Sequence, residues 1–194
     1  RLNDAESLLA RQTISVDNEE AAELFGQINA LRAILFGVQG EPMRGIKTAQ
    51  QVLDRLAQDR RSERGILLLT LGNLFRDVGD ITQASRSFAD AVTILLASGN
   101  VLAAVMAVEQ LVRLLVMQGQ LVQAVAVCAE MLDAATGPNV QSKQQALVSD
   151  MSRAIMSNVL YERNQLVDAE IYVRQGIKQA KRGGFFQSLV FGQI

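Results

Sequence analysis

Histidine and tryptophan are absent from these 194 residues, and cysteine occurs once, at Cys128. Each gap excludes a kind of chemistry. Without histidine, the usual general base for a serine or cysteine nucleophile is missing. One cysteine and no histidine leave zinc, haem and iron–sulfur groups without a ligand set. A lone cysteine closes no internal disulfide, which suits a reducing, cytoplasmic compartment. Basic excess is also missing: 19 Lys and Arg stand against 20 Asp and Glu. A chain without a basic stripe is not expected to contact nucleic acid directly. Proline appears only at Pro42 and Pro138, so little interrupts helix formation. No stretch alternates with period two, and strands are not expected.

Long apolar runs are scarce too. Val101–Gln118 comes nearest to a membrane span, but Glu109, Gln110 and Arg113 interrupt it. A charge at the centre of a span costs roughly 2.5–3.5 kcal/mol on insertion scales. A helix buried on several sides of a soluble fold explains the segment better.

What is present is a repeat. A turn residue is followed five positions later by a small one: Gly40 and Gly45, Gly79 and Ala84, Gly119 and Ala124, Asn164 and Ala169. Asp4-Ala5-Glu6 matches Asp168-Ala169-Glu170 as the tail of an earlier copy. The small residues Ala5, Gly45, Ala84, Ala124 and Ala169 stand 40, 39, 40 and 45 apart. Self-similarity at this period predicts an all-α, right-handed α-solenoid of antiparallel helix pairs. The small residue has a steric reason. Two helices joined by a tight turn approach closest just beyond it, and a large side chain there would hold the axes beyond the usual 8–10 Å.

The expected helices follow from that frame. Residues 1–12 read as the second helix of an earlier pair, and Thr13–Asn18 as a connector whose Asp17 or Asn18 caps the next helix. The pairs are then Glu19–Val38 with Pro42–Asp59, Ser62–Val78 with Ile81–Ala97, Val101–Gln118 with Leu121–Ala135, and Ser142–Arg163 with Leu166–Lys181. Ser62 is the expected N-cap of its helix. Thr136-Gly137-Pro138-Asn139 is the strongest break. Residues 1–194 are expected to form one domain, about four helix pairs with a partial pair at each end. Opening in mid-repeat at Arg1-Leu2-Asn3, the chain reads as a fragment of a longer protein.

Leu71-Gly72, Phe75, Gly79, Ala84, Phe88 and Ala91 fall on the tetratricopeptide consensus at its offsets, with Leu68 where that pattern prefers tryptophan. Leu111, Leu115, Gly119, Ala124 and Cys128 follow it more loosely, as do Leu160, Ala169 and Val173. The consensus proline is missing, and the period exceeds the usual 34. Longer helices of this kind, together with Leu31-Arg32-Ala33, Ala97-Ser98-Gly99-Asn100 and Gln118-Gly119-Gln120, resemble the tetratricopeptide-like region of MalT-type bacterial transcription activators. Those are ATP-dependent regulators ending in a LuxR-type helix-turn-helix. The resemblance implies a sensor that binds an inducer or a regulatory protein and thereby controls assembly of the activator. The alternatives are a general protein-interaction scaffold and a regulatory repeat region attached to an enzyme.

Mapping the tetratricopeptide groove onto the first helix of each pair gives Asn73, Arg76 and Asp77, then Glu109 and Arg113, then Asn158, Tyr161 and Glu162. Asn73, Arg113 and Asn158 are equivalent and are expected to form a row. Such a row hydrogen-bonds a peptide backbone, a sugar hydroxyl or a carboxylate. The expected partner is therefore a small-molecule inducer, or a peptide or protein, held in the concave groove.

No catalytic, metal or cofactor role is expected, and the segment is not read as an enzyme. The run from Gly40 to Thr48 looks like a phosphate loop, but Ile46 places Lys47 one position late and a helix, not a strand, precedes it. Asp17, Glu19, Glu20 and Glu23 complement a helix dipole. Cys128 stands where the repeat packs an aromatic, so a buried thiol is expected. Met106, Met117, Met131, Met151 and Met156 follow the apolar stripe and are expected to fill core. Phe185, Phe186, Leu189, Val190 and Phe191 form an apolar end that invites self-association through the terminal helices.

Overall fold

A computed structural model describes residues 19–135 and 142–183. Among the described residues there are eight helices and no strand. They are α1 (Glu19–Val38), α2 (Pro42–Arg55), α3 (Arg61–Asp77), α4 (Ile81–Ala97), α5 (Val101–Met117), α6 (Leu121–Ala135), α7 (Ser142–Glu162) and α8 (Leu166–Gly183). Consecutive helices pack on one another throughout, so the chain stacks four antiparallel pairs into an α-solenoid. The helix expected at 1–12, the connector at 13–18 with its cap, the break at 136–139 and the apolar run at 184–191 lie outside the described residues.

The turns explain the repeat. Gly79 has φ +81 and Asn164 φ +59, the left-handed conformation that ends a helix. In each pair the residue after the turn closes back onto a carbonyl of the last helical turn. Asp80 N donates to Phe75 O at 2.9 Å, Gln120 N to Leu115 O at 2.8 Å and Gln165 N to Leu160 O at 2.8 Å. These bonds satisfy carbonyls that the helix end would otherwise leave orphaned. Five positions on from the turn residue, Gly45, Ala84, Ala124 and Ala169 are all buried. A Cβ on Gly45 would lie 2.8 Å from Ala33 O, which is why the first pair uses glycine rather than alanine.

The core runs along the stack. Phe88, Leu95, Val105, Val108, Leu114, Met131, Val148 and Val159 fill its larger part, and Ala33, Ile46, Ala49, Leu67 and Leu74 fill the part nearest α1. Leu68 and Phe75 pack against both parts and join them.

Two expectations about helix ends are corrected. Helix α2 stops at Arg55, four residues before the expected Asp59. Arg64 on α3 donates to both Leu53 O and Leu56 O at 3.0 Å, and Leu56 is extended. A side chain from the next helix thus takes the carbonyls that further helix would have used. Ser62 is not an N-cap, because α3 begins at Arg61 without a side-chain cap. Ser62 lies in the first turn, where its Oγ accepts from Asn100 Nδ2 at 2.9 Å.

Asn100 is the cap that the residue pattern did not single out. Its Oδ1 accepts from Ala103 N at 3.2 Å at the start of α5, while its amide reaches Ser62 on α3. Asp80 caps α4 in the same way through Gln83 N at 3.0 Å. Asn100→Ala removes the cap and the tie to α3 together and is expected to cost about 1–2 kcal/mol. Asn100→Asp keeps a capping oxygen and should recover most of that. Urea midpoints at unchanged m-value measure both. A midpoint for Asn100→Ala equal to the wild type would show that neither bond matters.

Candidate functional site

The inner side of the stack follows from which helices touch. First helices of successive pairs pack directly at two of the three steps, α1 on α3 and α5 on α7, while α3 is tied to α5 through Arg76 and Gln110; second helices of successive pairs share no comparable interface. Helices α1, α3, α5 and α7 thus form one side of the stack, the side that the repeat pattern expects to be concave.

All eight groove residues belong to these helices, but the structure joins them unequally. Asn73 is half-buried, and its Nδ2 donates to Leu69 O one turn back at 3.1 Å. Arg76 donates to Asp77 Oδ1 at 3.2 Å and, across to α5, to Gln110 Oε1. Gln110 was not among the expected site residues. It lies one helical turn before Arg113, and that spacing was the available signal. Arg113 pairs with Glu109 at 3.2 Å. This pair is solvent-exposed and contributes about 0.3–0.5 kcal/mol, so it leaves Arg113 easy to recruit. Asn158, Tyr161 and Glu162 are exposed on α7, and among the described residues no hydrogen bond ties them to α3 or α5. The α3 end of the row is thus braced by its own contacts, and the α7 end is open.

The same face carries apolar side chains that the pattern assigned elsewhere. Met131 and Met156 are buried and Met151 is half-buried, as core filling requires. Met106 and Met117 are exposed, which corrects that expectation for both. Met106 lies one turn before Glu109 and Gln110, and Met117 one turn after Arg113, so helical spacing sets both on the polar side of α5. Met106 and Ile66 each lie seven residues, two helical turns, before Arg113 and Asn73. They form an apolar lane beside the polar row.

Three further features bear on chemistry. Cys128 is buried in α6, and desolvation pushes its thiol up to about 12. It therefore stays protonated at neutral pH and is no nucleophile. Asp150 on α7 is buried, and Arg153 Nη1 reaches it at 3.3 Å. Burial raises its pKa, and the arginine offsets part of that rise. Ser149, Ser152 and Ser157 are buried on the same helix, where Ser152 Oγ donates to Val148 O and Ser157 Oγ to Ala154 O. Hydrophobic patterning hides this polar stripe because it treats serine and aspartate as surface residues.

A shallow cleft of about 280 Å³ lies away from the row, between α6 and α8 over α7. Val125, Met156, Leu160, Asp168, Ile171 and Tyr172 line it. It falls just below the roughly 300–1,000 Å³ of ordinary ligand pockets, and it is open. No group of three or more His, Cys, Asp or Glu is placed to hold a metal among the described residues. No described helix is long and apolar enough to cross a membrane.

Stacked helix pairs with small residues at each crossing and a lined inner face define a tetratricopeptide-like repeat region, a class built for protein interaction or regulation. Residues 26–191 match the family model described as the MalT-like TPR region, and the chain belongs to that family. No curated protein sequence matches it. Among solved structures it is similar to BtubC (BKLC) from P. vanneervenii, at 15% identity and TM-score 0.72, covering 95% of this chain and 75% of that one. It is also similar to the nearly identical TPR-like repeats assigned to a Podosopora anserina kinesin light chain. One such structure gives 18% identity and TM-score 0.62, covering 94% of this chain and 96% of that one. A point variant of those repeats gives 15% and 0.67, covering 93% and 85%. At these identities the likeness is one of fold.

Proposed function

We propose that this chain is the effector-sensing region of a MalT/LuxR-type bacterial transcription regulator acting in the cytoplasm. Membership of the MalT-like TPR family is the observation that carries the reading. The effector, a small-molecule inducer or a segment of a regulatory protein, binds along Asn73, Arg113 and Asn158. Tyr161 and Glu162 are at the open end, and Arg76 and Asp77 at the braced end. The segment performs no catalysis and contacts no nucleic acid itself. Binding acts by population shift: an effector that prefers one curvature of the stack favours it. Each pair touches only its neighbours, so small rotations accumulate along the solenoid and reach attached modules. The second reading is a general scaffold that holds a peptide in the same groove. The fold shared with kinesin light chain repeats favours it.

Thermal shift against a panel of small sugars and metabolites tests the proposal. A specific ligand at 100 times its Kd adds about 2.7 kcal/mol. For a domain of this size that raises Tm by about 5–10 °C. Arg113→Ala and Asn158→Ala, both at exposed positions, should abolish the shift without lowering the unliganded Tm. A shift that survives both substitutions would move the site off this row.

A further inference from the structure

Helix α1 exposes an apolar face that the later pairs hide in part. Leu31, Ile34, Leu35 and Val38 follow one another at helical spacing, with 56%, 44%, 40% and 81% of their surfaces in solvent. The repeat divides the four. Val38 stands where later pairs have Asp77, Met117 and Glu162, and all three of those are exposed. Ile34 stands in the row of Asn73, Arg113 and Asn158. The counterparts of Leu35 are Leu74, Leu114 and Val159, and only 2%, 1% and 0% of these is exposed. The counterparts of Leu31 are Thr70 and Ile155, both buried, and Gln110, which is half-buried. One helical position is thus core in three pairs and open in the first.

The contact that buries Leu74 identifies the missing cover. Leu74 lies on the preceding pair, where a Cβ on Gly37 would stand 2.9 Å from its Cδ2 and one on Gly45 3.0 Å from its Cδ1. Gly45 is the small residue five positions after its turn. One repeat earlier that place belongs to Ala5, 40 residues before Gly45, just as Leu35 is 39 before Leu74. The sequence around Ala5 suits such a contact. On a helix, Leu2, Ala5 and Leu9 share one side, and Asn3, Ser7 and Arg11 take the opposite one. Antiparallel packing with Ala5 at Leu35 brings Leu9, four residues on, to Leu31, four residues back. The six-residue link 13–18 reaches roughly 20 Å at 3.3 Å per residue, ample for helices about 8–10 Å apart. A tether that short holds the segment at an effective concentration of about millimolar, which favours it over a second copy.

We infer that residues 1–12 dock on α1 as a helix, with Ala5 against Leu35 and Leu9 against Leu31, whatever effector the groove takes. Ile34 and Val38 stay open. Hydrogen–deuterium exchange of the full chain, read by mass spectrometry, tests this. Amides of 5–12 should exchange at least a hundredfold more slowly than in an unstructured chain. Leu35→Asp should speed them at least tenfold, and Val38→Asp should leave them within twofold. A second measurement does not depend on how Leu35→Asp folds. In Ala5→Cys/Leu35→Cys a short bismaleimide should link the two thiols within one chain, whereas Ala5→Cys/Met117→Cys, two pairs apart, should not link. Cys128 is buried and does not compete. The inference is overturned by free-chain exchange at 5–12 in the wild type, by protection that Leu35→Asp leaves intact, or by the absence of the internal link. Links formed between two chains in place of the internal one also overturn it and assign the face to a second copy.

Discussion

Phe88→Ala is expected to lower stability by about 3–5 kcal/mol, the range for truncating a buried aromatic. Phe88 is fully buried in α4 and is the largest side chain of the core. Its ring lies against the bare backbone of Gly72 on α3, so the space it leaves is walled by helix that does not collapse inward. The loss thus combines lost burial with a cavity that persists. Roughly 5 to 15 kcal/mol is the usual total for a domain, and this one substitution removes a large part of it. Urea denaturation of the two proteins side by side measures the difference. A loss below about 1 kcal/mol would mean that the α3–α4 crossing repacks freely.

The reciprocal substitution tests the same contact from the other side. Gly72→Val is expected to cost about 3 kcal/mol, at the upper end for overpacking. A Cβ at this position would stand 2.4 Å from Phe88 Cε1, and valine adds two methyl groups beyond it. The neighbour is a rigid ring locked in the core, so it has little room to yield. Helix propensity works in the opposite direction, because valine is favoured over glycine in a helix by roughly a few tenths of a kcal/mol. That gain is too small to offset the clash. The double variant Gly72→Val/Phe88→Ala should be more stable than the sum of the two losses by at least about 1 kcal/mol, since each change relieves the other. Strict additivity in that cycle would refute the contact.

Much of the architecture was legible without coordinates. The bounds of α4 and α6 match the expected Ile81–Ala97 and Leu121–Ala135 to the residue. Turn glycines and small crossing residues are local requirements, set by a left-handed backbone angle and by the space a Cβ occupies. Cys128 was expected to be buried from its place in the repeat, and it is.

The groove was legible as a set of positions and not as a set of partners. Asn73, Arg113 and Asn158 share one register, which arithmetic on the repeat supplies. That Arg76 is held by Gln110, 34 residues away on another helix, follows from where stacking sets α3 beside α5. Met106 and Met117 were misplaced because methionine was read as core, although Glu109, Gln110 and Arg113 at helical spacing mark the same side of α5 as exposed. Asp150 was missed because a charged residue reads as surface until a neighbour such as Arg153 is seen to pair with it in the interior.

Helix, turn and repeat length were decided by the chain alone, because each depends on backbone geometry and contacts within a few residues. Helix α2 ends at Arg55, Asn100 holds Ser62, and Arg76 reaches Gln110. Those outcomes were decided only when the pairs stacked. They rest on side chains that meet across tens of residues, and the distance between two such groups is a property of packing.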